Sequence, residues 1–145
     1  MTELLKIQDF DQMYAIMEAS FPDDEYRGYE GQRQLFENPE YKVFIHRNEE
    51  TKEIDGFLSA WEFDDILFFE HFAVSSKVRN GGIGGRMLRE ILTQVNKLTC
   101  LEVELPEGEL EKRRISFYER NGFFYNPYPY TQPSIAPGRK PIPLR

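Results

Sequence analysis

The stretch Ile66-Leu67-Phe68-Phe69-Glu70-His71-Phe72-Ala73-Val74-Ser75-Ser76-Lys77-Val78-Arg79-Asn80-Gly81-Gly82-Ile83-Gly84-Gly85-Arg86-Met87-Leu88-Arg89-Glu90-Ile91 decides how this chain folds. A run of mostly apolar residues enters a short basic turn and then meets four glycines within five positions. Ile83, Met87, Leu88, Ile91, Leu92 and Val95 follow at helical spacing, which predicts a helix to about Lys97. Glycine costs about 1 kcal/mol relative to alanine in a helix interior. Placing Gly81, Gly82, Gly84 and Gly85 at a helix start therefore calls for a compensating gain, such as close approach of backbone to a ligand. A helix N-terminus presents free N–H groups and partial positive charge, so strand, glycine turn and helix together predict an anion cradle.

Upstream of the glycines, residues 66–74 are apolar on both faces: Ile66, Phe68, Phe72 and Val74 on one, Leu67, Phe69 and Ala73 on the other. Burial on both faces predicts a central strand. Glu70 and His71 interrupt it. A carboxylate in such a strand must be paired, protonated or open to a cleft. In a regular strand His71 faces away from Glu70, which favours a structural histidine. Further out, 41–47 and 54–63 read as strands around the polar loop 48–53, with Gly56 a candidate bulge, and Asp64-Asp65 turns the chain into 66–74. Leu4, Leu5 and Ile7 suggest a first short strand. A helix runs from Asp9 or Asp11 to about Ser20, and a second from Glu30 to Glu37, ended by Asn38-Pro39. Downstream, Leu101 to Leu105 alternates as a strand. A last helix starts near Pro106 and Gly108 and stops at Asn121-Gly122, and Phe123-Phe124 opens another strand. From Asn126 the tail carries six of the nine prolines, a composition of loops and edge segments.

The 145 residues suit one domain, read as 1–145 with a proline-rich segment 126–145. No apolar run reaches membrane-spanning length, and the N-terminus lacks the pattern of a signal peptide. A single cysteine, Cys100, excludes an intrachain disulfide and fits a reducing cytoplasm. Cys100, His46 and His71 lie apart without metal-ligand spacing, so no metal is expected. The net charge of −7 argues against nucleic acid as a partner. Its distribution is uneven: Asp and Glu outnumber Lys and Arg 18 to 6 in residues 1–70, whereas Lys and Arg lead 12 to 7 in residues 71–145. The glycine turn lies in the basic half.

Three glycine motifs compete for that turn. A Walker A loop needs Lys followed by Ser or Thr, and the position five after Gly81 is Arg86. A dinucleotide fingerprint starting at Gly82 needs Gly or Ala where Met87 stands, and it expects an early βαβ unit in place of three hairpin-linked strands. The pattern Arg/Gln-x-x-Gly-x-Gly/Ala is met by Arg79-Asn80-Gly81-Gly82-Ile83-Gly84. With Phe72-Ala73-Val74 before it, and Ile115-Ser116-Phe117-Tyr118-Glu119-Arg120-Asn121-Gly122-Phe123 resembling an F-Y-x-x-x-G-F signature on the final helix, the chain resembles the GCN5-related N-acetyltransferase (GNAT) superfamily over roughly residues 4–125.

The resemblance implies an α/β fold of α+β type: a mixed, mostly antiparallel central sheet flanked by about four helices. It implies acetyl-CoA as donor substrate, an amine as acceptor, no metal, and direct attack of the amine on the thioester. Arg79, Asn80, Gly81, Gly82, Ile83, Gly84 and Gly85 would surround the CoA pyrophosphate, with Arg79 or Arg86 adding charge. Phe72, Ala73 and Val74 would offer strand backbone to the pantetheine arm. An alkyl ammonium near pKa 10.4 must lose a proton before it attacks. Glu70 is the candidate base; the alternatives are pairing with His71 or an arginine, or exposure at a strand distortion. Tyr118 would protonate the departing thiolate, its alternative being a core aromatic beside Phe117. Two departures stand out. Glu111 and Arg114 occupy positions where the family often has Asn and Ala, leaving Lys112, Arg113 and Arg114 as phosphate contacts or a solvated face. The proline-rich end leaves open a last strand that is short, missing or completed by a partner chain in a homodimer. Asp23, Asp24, Glu25, Tyr26, Tyr29 and Glu30 lie where an acceptor would approach, or form an ordinary acidic loop. A catalytically inactive acetyl-CoA-binding sensor or interaction module is the alternative function.

Overall fold

The computed structural model describes residues 2–78, 82–95, 97–101, 108–123, 130–132 and 142–144. Five strands, β1 (Thr2–Leu4), β2 (Tyr41–Arg47), β3 (Ile54–Glu62), β4 (Ile66–Val74) and β5 (Leu98–Leu101), form one sheet in chain order. The pairs are antiparallel except β4 with β5, which is parallel and needs a crossover. That crossover contains helix α3 (Ile83–Gln94). Helices α1 (Phe10–Ser20) and α2 (Tyr29–Gln34) precede β2, and α4 (Glu109–Arg120) follows β5. Strands β6 (Tyr130–Gln132) and β7 (Ile142–Leu144) pair antiparallel in a separate sheet.

Apolar spacing explains the layers. Phe10, Met13, Tyr14, Ile16 and Met17 give α1 a buried stripe, which packs with Val43, Ile45, Ile54, Phe57 and Ala73 on one face of the sheet. Leu88 and Ile91 of α3 pack with Phe44, Leu58, Ala60, Leu67 and Phe69 on the other. Each such side chain, fully buried, contributes about 1.5–3 kcal/mol. The β2–β3 hairpin closes where the Asn48 side chain accepts the backbone N–H groups of Glu50 and Thr51, at 2.9 and 3.0 Å.

Several expectations shift. The first strand is Thr2–Leu4, while Ile7 enters a 3₁₀ turn. Asp9 precedes α1 but makes no capping bond; its carboxylate instead takes Arg47 at 3.1 Å. Helix α2 gives way to 3₁₀ geometry at Leu35–Glu37. Helix α3 ends at Gln94, because Val95 is extended. The strand expected over 101–105 begins earlier, at Leu98, and residues 102–107 lie outside the described ones, as does Phe124. Strand β4 is an inner strand, paired on both sides, as expected, but its residues alternate between buried and partly buried, whereas β3 is buried at every position from Ile54 to Ala60. The bulge expected at Gly56 has Asp55 as its extra residue, since His46 pairs with Gly56 and Arg47 with Ile54.

A second bulge matters more. Ser59 pairs with His71 and Ala60 with Phe69, so Glu70 is an extra residue in β4. The alternation of side chains changes phase there. Leu67, Phe69 and Phe72 all meet the α3 side, while Ala73 joins the α1 side. The expectation that Phe72 shares a face with Ile66 and Phe68 assumed an uninterrupted period of two, which the extra residue breaks.

Candidate active site

The bulge decides what surrounds Glu70. Its carboxylate receives Arg27 in a two-point pair, Nη1 to Oε1 at 2.6 Å and Nη2 to Oε2 at 3.1 Å. Arg27 lies between α1 and α2, where the Tyr14 hydroxyl donates to its carbonyl at 2.9 Å. The indole Nε1–H of Trp61 approaches Oε2 at 3.4 Å. His71 also turns this way: its Nδ1 stands 3.5 Å from Glu70 Oε1, and its Nε2 meets the Glu25 carbonyl at 2.5 Å. The regular-strand expectation that His71 faces away from Glu70 is thus corrected, with the bulge as the physical reason. Burial alone would raise the Glu70 carboxyl, but His71 and the Arg27 guanidinium outweigh it and hold the group at about 2. Glu70 is therefore an ionised carboxylate throughout the neutral range. Behind it, Gln32 Nε2 donates to the Tyr41 hydroxyl at 2.5 Å, and burial followed by the Glu70 charge pushes that phenol well above its usual range.

Tyr118 sits on the other side of the sheet. Its ring packs in an aromatic group with Phe72, Phe117 and Phe123, at centroid distances of 6.4, 5.2 and 5.6 Å. Burial pushes its phenol up to about 12, with Arg114 pulling slightly the other way. The hydroxyl stays protonated at neutral pH and makes no hydrogen bond among the described residues.

The end of α4 fixes that ring. Gly122 has φ of +95°, and the N–H groups of Gly122 and Phe123 return to the carbonyls of Glu119 and Tyr118, at 3.1 and 3.0 Å. This is a Schellman closure, in which the apolar residue after the glycine packs back on the helix. The Asn-Gly-Phe after Tyr118 thus holds Tyr118 itself. Gly122→Ala is expected to cost about 1–2 kcal/mol, because a left-handed backbone disfavours a Cβ although no described residue lies within 4 Å of it. Urea unfolding measures this; an unchanged midpoint would show that the closure is dispensable.

At the other end of the site, Gly82 has φ of +75° and precedes α3. A Cβ on Gly84 would meet Val74, Phe72 and Phe117 at 3.6–3.8 Å, ordinary contact distances. At Gly85 it would meet the movable Arg89 guanidinium at 3.1 Å. Packing within the chain therefore gives no strong reason for either glycine. Among the predicted binding residues, Phe72, Ala73, Val74, Gly82, Ile83, Gly84 and Gly85 are described, with Phe72 and Val74 beside Gly84. Arg79, Asn80 and Gly81 lie outside the described residues. Arg27, Trp61, Gln32 and Tyr41 are missing from the sequence-derived site. Arg27 carried a signal, as the lone basic residue between Asp23 and Glu30. The others did not, since their convergence depends on how α2 packs against β2 and β3. Among the described residues, no group of His, Cys, Asp and Glu could hold a metal, and no helix is long and apolar enough to cross a membrane.

Residues 39–124 match the family model for the acetyltransferase (GNAT) domain, and the chain belongs to that family of acetyltransferases. A GNAT-family protein from Bacteroides thetaiotaomicron, named as an acetyltransferase, is similar at 32% identity with a TM-score of 0.88, over 99% of this chain and 83% of that one. Its likeness extends to the mixed, mostly antiparallel sheet with flanking helices. An aminoglycoside 6'-N-acetyltransferase solved with coenzyme A shares the fold, with a TM-score of 0.74 at 15% identity, over 99% of this chain and 93% of that one. YjbC of Bacillus subtilis (strain 168), also named as an acetyltransferase, is 36% identical over 64 residues, 43% of this chain and 33% of YjbC. That match spans about a third of the relative's length.

Proposed function

We propose that this chain, as a single GNAT domain, transfers an acetyl group from acetyl-CoA to a primary amine by direct attack on the thioester. The observation that carries this reading is that Phe72 and Val74 of β4 lie beside Gly84, in the first turn of α3 after the left-handed Gly82, and that the Tyr118 ring, whose hydroxyl has no hydrogen-bond partner among the described residues, packs near Phe72. The first N–H groups of α3, from Ile83, Gly84 and Gly85, suit phosphate. By the sequence motif alone, Arg79, Asn80 and Gly81 are proposed, with Ile83, as contacts to the same phosphates. The backbone of Phe72, Ala73 and Val74 offers donors and acceptors to the amides of the pantetheine arm. The coenzyme-A-bound neighbour of this fold supports CoA as the carrier.

Tyr118 acts on the leaving group. Complete transfer from a phenol near 12 to a thiolate whose acid is near 8.5 is uphill by more than three orders of magnitude in equilibrium constant. Its main action is then a hydrogen bond that strengthens as charge builds on sulfur, with the proton following as the C–S bond breaks. Glu70 supplies negative charge on the acceptor side. Its side chain is 17% exposed, and Arg27 and Trp61 hold the carboxylate in place.

Thiol release from acetyl-CoA across a panel of amines, beside thermal shift with acetyl-CoA alone, tests the reading. Gly82→Asp, at the N-terminal end of α3 where an added Cβ meets no described residue within 4 Å, is expected to weaken acetyl-CoA binding at least about tenfold by setting a carboxylate beside the phosphates. Binding without thiol release from any amine would favour the inactive acetyl-CoA-binding module. Absence of binding by the unaltered protein would overturn the donor assignment.

A further inference from the structure

Strand β4 carries one large apolar side chain that the core leaves aside. Phe68 is partly buried and, among the described residues, packs into neither core group, whereas its neighbours Leu67 and Phe69 are buried on the α3 side. Alternation therefore turns Phe68 to the α1 side. There it stands opposite Trp61, its register partner on β3, and directly opposite residues have Cβ atoms about 4.5–5.5 Å apart. Trp61 is also partly buried. Its ring is tilted on that of Tyr41, at 4.9 Å between centroids, and its indole N–H is directed at Glu70 Oε2, 3.4 Å away. Two partly exposed aromatic residues thus stand on the same side of the sheet as a carboxylate that is itself 17% exposed. Along β4, Glu70 lies between Phe68 and Phe72, two residues from each, which at the usual rise is about 6–7 Å either way.

We propose that Trp61 and Phe68 form a shelf that selects the acceptor: a monoamine carried on a short aliphatic or aromatic group, with its nitrogen at Glu70 and its apolar part across the two side chains. The proposal rests on the acetyltransferase reading for the order of parts, with the apolar group at Phe68, the nitrogen at Glu70 and the thioester toward Phe72. Charge by itself discriminates weakly at this place, because the Arg27 guanidinium, 20% exposed, already offsets most of the Glu70 charge. Apolar contact then decides between amines. Each methylene covered by the shelf is worth up to about fourfold in affinity. A second positive charge at the far end of the acceptor would lie over apolar surface and lose hydration for at most a weak ring contact. The shelf therefore disfavours a polycation, although Asp and Glu outnumber Lys and Arg 18 to 6 in residues 1–70.

Trp61 is the only tryptophan in the chain, so its emission reports on the shelf directly. The test titrates methylamine, n-butylamine, 2-phenylethylamine and 1,4-diaminobutane into the full chain in the presence of CoA and follows that emission. The same amines are then compared by kcat/KM for thiol release from acetyl-CoA. Methylamine and n-butylamine differ in apolar length and hardly in basicity, and the diamine adds a charge to the same carbon chain. The two larger monoamines are expected to change the emission saturably, with Kd falling about two- to fourfold per methylene and kcat/KM rising in step. The diamine should be about tenfold poorer than n-butylamine. Phe68→Ala, and Trp61→Ala read by thiol release, should each cut the ratio of kcat/KM for 2-phenylethylamine over methylamine about tenfold. A ratio is insensitive to the amount of folded protein, and the wild-type series needs no variant. Emission that none of the amines changes, equal kcat/KM along the series, a preference for the diamine, or an unchanged ratio in both variants overturns the shelf. Emission changes in the expected order without thiol release keep the shelf and bring down the acetyltransferase reading, whereas release that ignores the apolar group brings down the shelf only.

Discussion

Tyr118→Phe is expected to lower kcat by about 10²–10³-fold while leaving acetyl-CoA affinity within about twofold of wild type. The reason is the position of the hydroxyl. The ring is fixed by three aromatic neighbours and by the closure at Gly122, so phenylalanine keeps the packing and removes one oxygen. That oxygen has no hydrogen-bond partner among the described residues, so its loss leaves none of them unpaired and stability should hold or rise slightly. A substrate with a more acidic thiol is the discriminating probe. If the phenol assists departure of sulfur, the deficit should shrink as the leaving group improves. Equal activity of Tyr118→Phe and wild type on a good amine would return Tyr118 to the status of a core aromatic.

The second large effect is on acid stability. Glu70 is held at about 2 against an ordinary value of 4.5, so the folded state binds its proton less readily than the unfolded chain does. A depressed carboxyl contributes stability that is present above the unfolded value and lost as pH falls toward the folded one. The window therefore runs from about pH 5 down to about pH 2, with an amplitude on the order of 3 kcal/mol for a group whose side chain is 17% exposed. Glu70→Gln should be less stable than wild type at pH 7 and converge on it by about pH 2. Arg27→Ala should be destabilised at pH 7 as well, because it leaves a largely buried carboxylate without its guanidinium. Urea titrations at pH 7, 4 and 3 read these differences. A gap between Glu70→Gln and wild type that stays constant across that range would exclude a pH-linked role for the pair.

The predicted strands at 41–47 and 66–74 have the bounds of β2 and β4, and the glycine turn does lead into a helix. These features are local: apolar periodicity, turn chemistry and glycine placement each act over a few residues, and they agree with one another. The Tyr118 signature was legible for the same reason. Its Asn-Gly-Phe tail is a helix stop whose hydrogen bonds span only five residues. Less was readable around Glu70. One extra residue in β4 is invisible to a count of alternating side chains, because the sequence on either side fits a regular strand equally well. Arg27 stands 43 residues from Glu70, and an ion pair at that separation is a property of packing.

From the sequence by itself came the family, the order of its elements, the glycine cradle and the tyrosine on the last helix, because these are encoded in contiguous residues. Only the tertiary structure decided the surroundings of Glu70. The bulge in β4 turns Glu70 and His71 to the same side, and the α1–α2 connection brings Arg27 onto the carboxylate. Of the readings the sequence left open for Glu70, pairing with an arginine is the one the fold shows. That outcome arises because strand register and charge pairing are set by contacts between distant segments, whose energies no single stretch of sequence contains.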